Sequence, residues 1–152
     1  MVKKNYSGGN NKSNAYKDNN YSIKKIDIPL SKKYSDIKSI YLEDGIAYNY
    51  AKKMVKIAPS QLRKVLDQIK SSSSMIKQNP GKFEDARNNL YFLVPITAYN
   101  TGRNKQINFL YEFVYQHINE KSLARADDIF ILDQLFTSII AYHKYLKEMG
   151  EK

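Results

Sequence analysis

No cysteine occurs in this sequence, which excludes disulfides, thiolate metal sites and cysteine nucleophiles. Tryptophan is absent too. Only two histidines occur, His117 and His143, too few to build a histidine-rich metal site by themselves. No run approaches the roughly 18 apolar residues of a membrane span. No apolar segment follows the lysines near the N-terminus, so no secretory signal is expected and the protein is read as cytoplasmic. Glycine is sparse, and the pair Gly8-Gly9 stands in a polar stretch, not in a phosphate-binding loop. No zinc-ligand spacing is present either.

The 152 residues suffice for one domain with a real core. Hydrophobic residues make up 42%, enough to expect a folded domain, and 13 tyrosines carry most of the aromatic content. A tyrosine buries its ring while keeping its hydroxyl wet, which suits interfaces as well as cores.

The formal net charge of +10 is unevenly spread. Residues 1–36 hold eight lysines against Asp18, Asp27 and Asp36. Residues 52–105 hold eleven basic residues against Asp67, Glu84 and Asp85. Beyond residue 105, seven acidic residues outnumber five basic ones. A basic middle beside a mildly acidic end favours a polyanion on one side of the molecule.

Residues 1–36 read as a flexible, basic, Asn/Lys-rich tail, because they contain too few apolar groups to offset the entropy of ordering. Its removal is expected to leave the fold intact. Residues 37–152 read as a helical domain. Apolar residues recur at i, i+3, i+4 and i+7, most cleanly through Leu62, Val65, Leu66, Ile69 and Ile76. The spacing predicts helices over roughly 40–57, 59–77, 82–101, 105–119 and 127–148. Pro59 suits a first turn. Pro95 is expected to kink the third helix, Gly102 to adopt a left-handed conformation just past its end, and Asn104 to cap the fourth. The fold class is therefore all-α, a single compact bundle of about five helices.

An active site is not evident, and no enzyme activity or cofactor is expected. Asp127, Asp128 and Asp133 could hold a cation, yet acids at a helix start are explained by the helix dipole. His143 falls on the apolar stripe of the last helix and reads as structural. His117 reads as a surface residue. Nothing orients either one as a general base.

The basic residues form a pattern. Arg63, Lys70 and Lys77 recur every seven residues and so fall on one line along the second helix, about 10 Å apart. Lys64 points further out, Lys52, Lys53 and Lys56 precede it, and Arg103 and Lys105 flank a turn. Cations so placed can hold successive phosphates without reading bases. Arg63, Lys64, Arg103, Lys52, Lys53, Lys56 and Lys70 are the candidate nucleic-acid-binding residues.

Three segments carry a family resemblance: Ser60-Gln61-Leu62-Arg63-Lys64, then Leu93 to Arg103 with its Tyr99-x-x-Gly102-Arg103 ending, then Leu135 to Tyr145 with Phe136, Ala141, Tyr142 and Lys144. Over about residues 45–147 the chain resembles the small subunit of the type III-A CRISPR–Cas effector (Csm) complex. Many members carry basic residues around the proline of the third helix, where this chain has Val94 and Ile96. The resemblance implies a non-catalytic helical bundle that stacks in several copies beside the backbone subunits and contacts the guide RNA–target RNA duplex. In that family, target cutting belongs to the backbone subunit, and DNA cutting and cyclic oligoadenylate synthesis to the large subunit. It would make Arg63 and Arg103 phosphate contacts. Two other readings stay open on the residues alone. One is a helix-turn-helix DNA regulator built around Ala58-Pro59-Ser60. The other is a helical scaffold with no nucleic-acid contact.

Overall fold

The computed structural model describes residues 23–150, and every regular element in them is helical. In chain order these are α1 (Leu30–Lys33), α2 (Ile37–Tyr41), α3 (Ile46–Lys53), α4 (Pro59–Gln78), α5 (Phe83–Tyr91), α6 (Leu93–Arg103), α7 (Asn108–His117) and α8 (Ala126–Gly150). Short 3-10 turns over Pro80–Lys82 and Lys105–Ile107 lead into α5 and α7.

The 25-residue α8 is the axis of the bundle, with α1, α3 and α4 packed along it. Its Ile129, Leu132, Leu135, Phe136 and Ile139 are all fully buried. The stripe expected on α4 points at it, with Leu62, Val65, Leu66, Ile69 and Ile76 in the core. Each such side chain contributes about 1.5–3 kcal/mol by leaving water. Ser71 to Ser74 do not interrupt α4. The small Ser72 and Ser73 let α5 approach closely, and the Ser72 hydroxyl donates to the Ala86 carbonyl at 3.1 Å.

The expected third helix is two helices. The break falls at Phe92, and Pro95 sits in the first turn of α6. A proline there has no N–H for the Tyr91 carbonyl and its ring crowds that oxygen, so α5 must end before it. Gly102 also differs from expectation. It lies inside α6, and no glycine among the described residues has a positive φ. The helix stops at Asn104 instead, whose backbone is extended and whose side chain accepts from the Gln106 N–H at 3.0 Å. The one non-glycine residue with positive φ among the described residues is Asp44 (67°), in the turn between α2 and α3.

The domain begins well before residue 37. Residues 1–22 of the expected tail lie outside the described residues, but residues 26–34 are packed. Leu30 is wholly buried and Tyr34 nearly so. Backbone N–H groups of Ile26 and Leu30 donate to the carbonyls of Gln116 and Ser122 at 2.9 and 3.0 Å. The Ser31 N–H donates to the Asp128 carboxylate at 2.8 Å. Composition hid this segment because its apolar residues are few, and Leu30 and Tyr34 are the ones driven into the core while Ile28 stays exposed. Leu30 plugs the base of α8, while the polar neighbours face outward.

Candidate nucleic-acid interface

The basic residues fall around α3, α4 and α6. Lys52 and Lys53 close α3, and Lys56 stands in the turn before α4, all three exposed. The Lys52 and Lys53 ammonium groups lie over the rings of Tyr48 and Tyr50, 5.8 and 5.9 Å from their centroids. Arg63 and Lys64 are exposed in the first turns of α4, which has no acidic residue there and no side-chain cap. Being neighbours on a helix they diverge by about 100°. Arg63 borders a groove toward α8, shared with Lys144, and Lys64 borders one toward α6.

The line of Arg63, Lys70 and Lys77 is real but runs along the seam between α4 and α8. The Lys70 ammonium is drawn to Asp133, 2.9 Å away, whose carboxylate is mostly buried and also accepts from Thr137. Lys77 lies over the Phe130 ring at 5.5 Å. Only Arg63 of the three has no such partner on α8. Arg103 is exposed in the last turn of α6, its guanidinium 5.8 Å from the centroid of the Tyr99 ring.

A protein-family model described as Csm2 Type III-A matches residues 33–149. The chain belongs to that family. It is a small subunit of the type III-A Csm complex, and the regulator reading gives way to this one. No curated protein and no solved structure matches the chain.

The match to Csm2 opens at Lys33, earlier than the quoted motifs, and so takes in the packed Tyr34. The histidines of this Csm2 chain are both structural. His143 presents Nε2 to the carbonyls of Met54 and Ile57, each at 3.0 Å, fastening α8 to the end of α3. Burial holds its pKa below the ordinary value, although those two carbonyls pull it upward and nearby Lys147 pulls it down again. His117 is not on the surface as expected but fully buried, stacked on Phe113 at 4.0 Å between ring centroids. Its place near a helix end suggested exposure, but the N-terminal segment covers that end. Burial lowers its pKa to about 3, against a smaller upward pull from the Phe113 carbonyl.

Asp128 is likewise a structural anchor. Its carboxylate is buried and accepts from the N–H groups of Ser31, Ala124 and Arg125. Three donors leave little capacity for a cation, and the described residues contain no cluster of three metal-ligating side chains. Among the described residues, no helix is long and apolar enough to cross a membrane.

Sequence reasoning missed one surface. Phe92, Ile96 and Tyr99, spaced i, i+4 and i+7, form an outward apolar line on α6, with Phe92 66% and Tyr99 61% exposed. Tyr99 thus stands outside the packed side of that helix, where Leu93 and Thr97 are buried. The break at Phe92 turns α6 relative to α5, so one continuous stripe could not predict both faces. The interruption at Pro95 was the available signal.

Proposed function

We propose that this Csm2 protein is a non-catalytic subunit that holds the sugar-phosphate backbone of the guide RNA–target RNA duplex. It works in the cytoplasm, beside copies of itself and the backbone and large subunits. The residues carrying the contact are Lys52, Lys53, Lys56, Arg63, Lys64 and Arg103. One observation supports this above others: all six are exposed, and none has a carboxylate partner among the described residues. Lys70, which does have one, is left out of the surface. Cations held on rigid helices without counter-charges suit a polyanion and give contacts independent of sequence.

The test is direct. The protein co-expressed with the other Csm subunits should co-purify with guide RNA, and its affinity for single-stranded RNA should fall steeply with salt. Assembly that proceeds normally, with salt-insensitive or absent RNA binding, would leave a scaffold role only.

A further inference from the structure

The groove between α4 and α6 has a composition that phosphate contact does not explain. It holds about 200 Å³, smaller than a drug-sized pocket, and so admits one ring-sized group. Val65, Leu93 and Leu110 form an apolar floor. Three carboxamides, Gln61, Gln68 and Asn100, surround it. All three are part-exposed, and none of their side chains has a hydrogen-bond partner among the described residues. Phe92 stands at the edge with its ring largely bare. The charged group in the lining is the Lys64 ammonium, and Arg103 lies one helical turn beyond Asn100.

We propose that this groove takes one unstacked nucleobase of the bound RNA strand, an inference that rests on the RNA-binding reading above. The Phe92 ring offers a face for stacking, which every base can use. Carboxamides donate and accept together, matching the mixed donor and acceptor edge of a base. An aliphatic side chain from a protein partner would satisfy the floor but leave the three amides unpaired and desolvated. An acidic partner residue would use Lys64 alone. A nucleotide uses all of it, with the base in the groove and its flanking phosphates toward Lys64 and Arg103. The apolar Ile96, in the groove wall, then stands where the helix borders a base rather than a phosphate.

The test compares a short homopolymeric single-stranded RNA with an abasic ribose-phosphate oligomer of equal length, on the full chain. The RNA should bind more tightly than the abasic oligomer. Phe92→Ala should erase that difference, weakening RNA binding about tenfold, while leaving the abasic affinity and the salt slope unchanged. Phe92→Tyr should restore it. Phe92 is exposed, so melting temperatures of the variants should match the parent. Equal binding of the two oligomers, or a base-dependent advantage that survives Phe92→Ala, overturns the base groove and leaves the phosphate contacts standing. Salt-independent or absent binding of both oligomers overturns the RNA reading and the groove with it. Normal RNA binding by Phe92→Ala with failed assembly into the complex assigns the face to a protein partner and likewise overturns the proposal.

Discussion

The Tyr34 hydroxyl donates to Nε2 of His117 across 2.7 Å, joining the N-terminal segment to the last turn of α7. On the other side of the ring, Nδ1 lies 2.9 Å from the Phe113 carbonyl, which can only accept. Nδ1 therefore carries the proton, and Nε2 presents the lone pair that Tyr34 fills. Burial holds the imidazole neutral, and a second proton on Nε2 would turn the Tyr34 hydroxyl from donor to acceptor.

Stability should consequently fall in mild acid. The His117 pKa is about 3 when folded and 6.5 when unfolded, so the unfolded chain takes up the proton first. The contribution is complete above pH 6.5 and is lost as pH falls from there toward 3. At pH 5 the loss from this residue is roughly 2 kcal/mol. His143, lowered in the same direction, adds to it. Urea unfolding at pH 7 and pH 5 measures the effect. His117→Gln should lower stability at pH 7 but flatten its pH dependence.

Truncation should separate two parts of the N-terminal region. Deleting residues 1–36 removes Leu30, Tyr34 and the Ser31 donor to Asp128, and should destabilise the domain severely or prevent folding. Tyr34→Phe, a far gentler change, should still cost about 1–3 kcal/mol by leaving Nε2 buried without a donor. Deleting residues 1–22 touches none of these contacts and should leave the melting temperature nearly unchanged.

Two glycines should respond oppositely to alanine. At Gly45 a Cβ would collide with the backbone carbonyls of Ser39 and Leu42, the latter at 2.7 Å, so Gly45→Ala should destabilise by more than about 1 kcal/mol. At Gly102 a Cβ would meet nothing within 4 Å, and the residue is already helical. Gly102→Ala should therefore stabilise by about 0.5–1 kcal/mol. Thermal melts of the two variants suffice.

Among the basic residues, Arg63→Ala with Arg103→Ala should weaken RNA binding by about 1 kcal/mol per contact. Each loss should lower the salt slope by about one unit. The fold should be little affected. Lys70→Ala should leave the slope unchanged and alter stability by about 1 kcal/mol or less, because its pair with Asp133 is half exposed on the lysine side. Equal losses of RNA affinity in the two experiments would contradict the distinction drawn between these residues.

The helical class and the α4 core positions were legible because that helix carries sustained periodicity, and Leu62, Val65 and Ile69 fall where it put them. The limits have physical causes. Leu30 and Tyr34 were lost because a short packed segment has no period to detect. His117 was misplaced because its cover comes from a segment 83 residues away in sequence. The Asp133 partner of Lys70 was not legible because a heptad line shows which residues align, not whether a partner helix supplies a carboxylate opposite them. The amides of the groove carried no signal, since Gln61, Gln68 and Asn100 converge only through the α4–α6 packing.

Because α8 is both the axis of the bundle and its last helix, the chain closes on itself late. Ser31 meets Asp128, and the Tyr41 carbonyl accepts from the Tyr142 hydroxyl, joining positions 97 and 101 residues apart. During synthesis α1, α3 and α4 emerge before the helix they pack along exists, and the faces they turn to α8 wait exposed until it clears the ribosome. Long-range closure of this kind slows folding relative to bundles of purely local contacts. It also ties the core to that one helix: a chain stopped before residue 126 would lack Ile129, Leu132, Leu135, Phe136 and Ile139, all wholly buried.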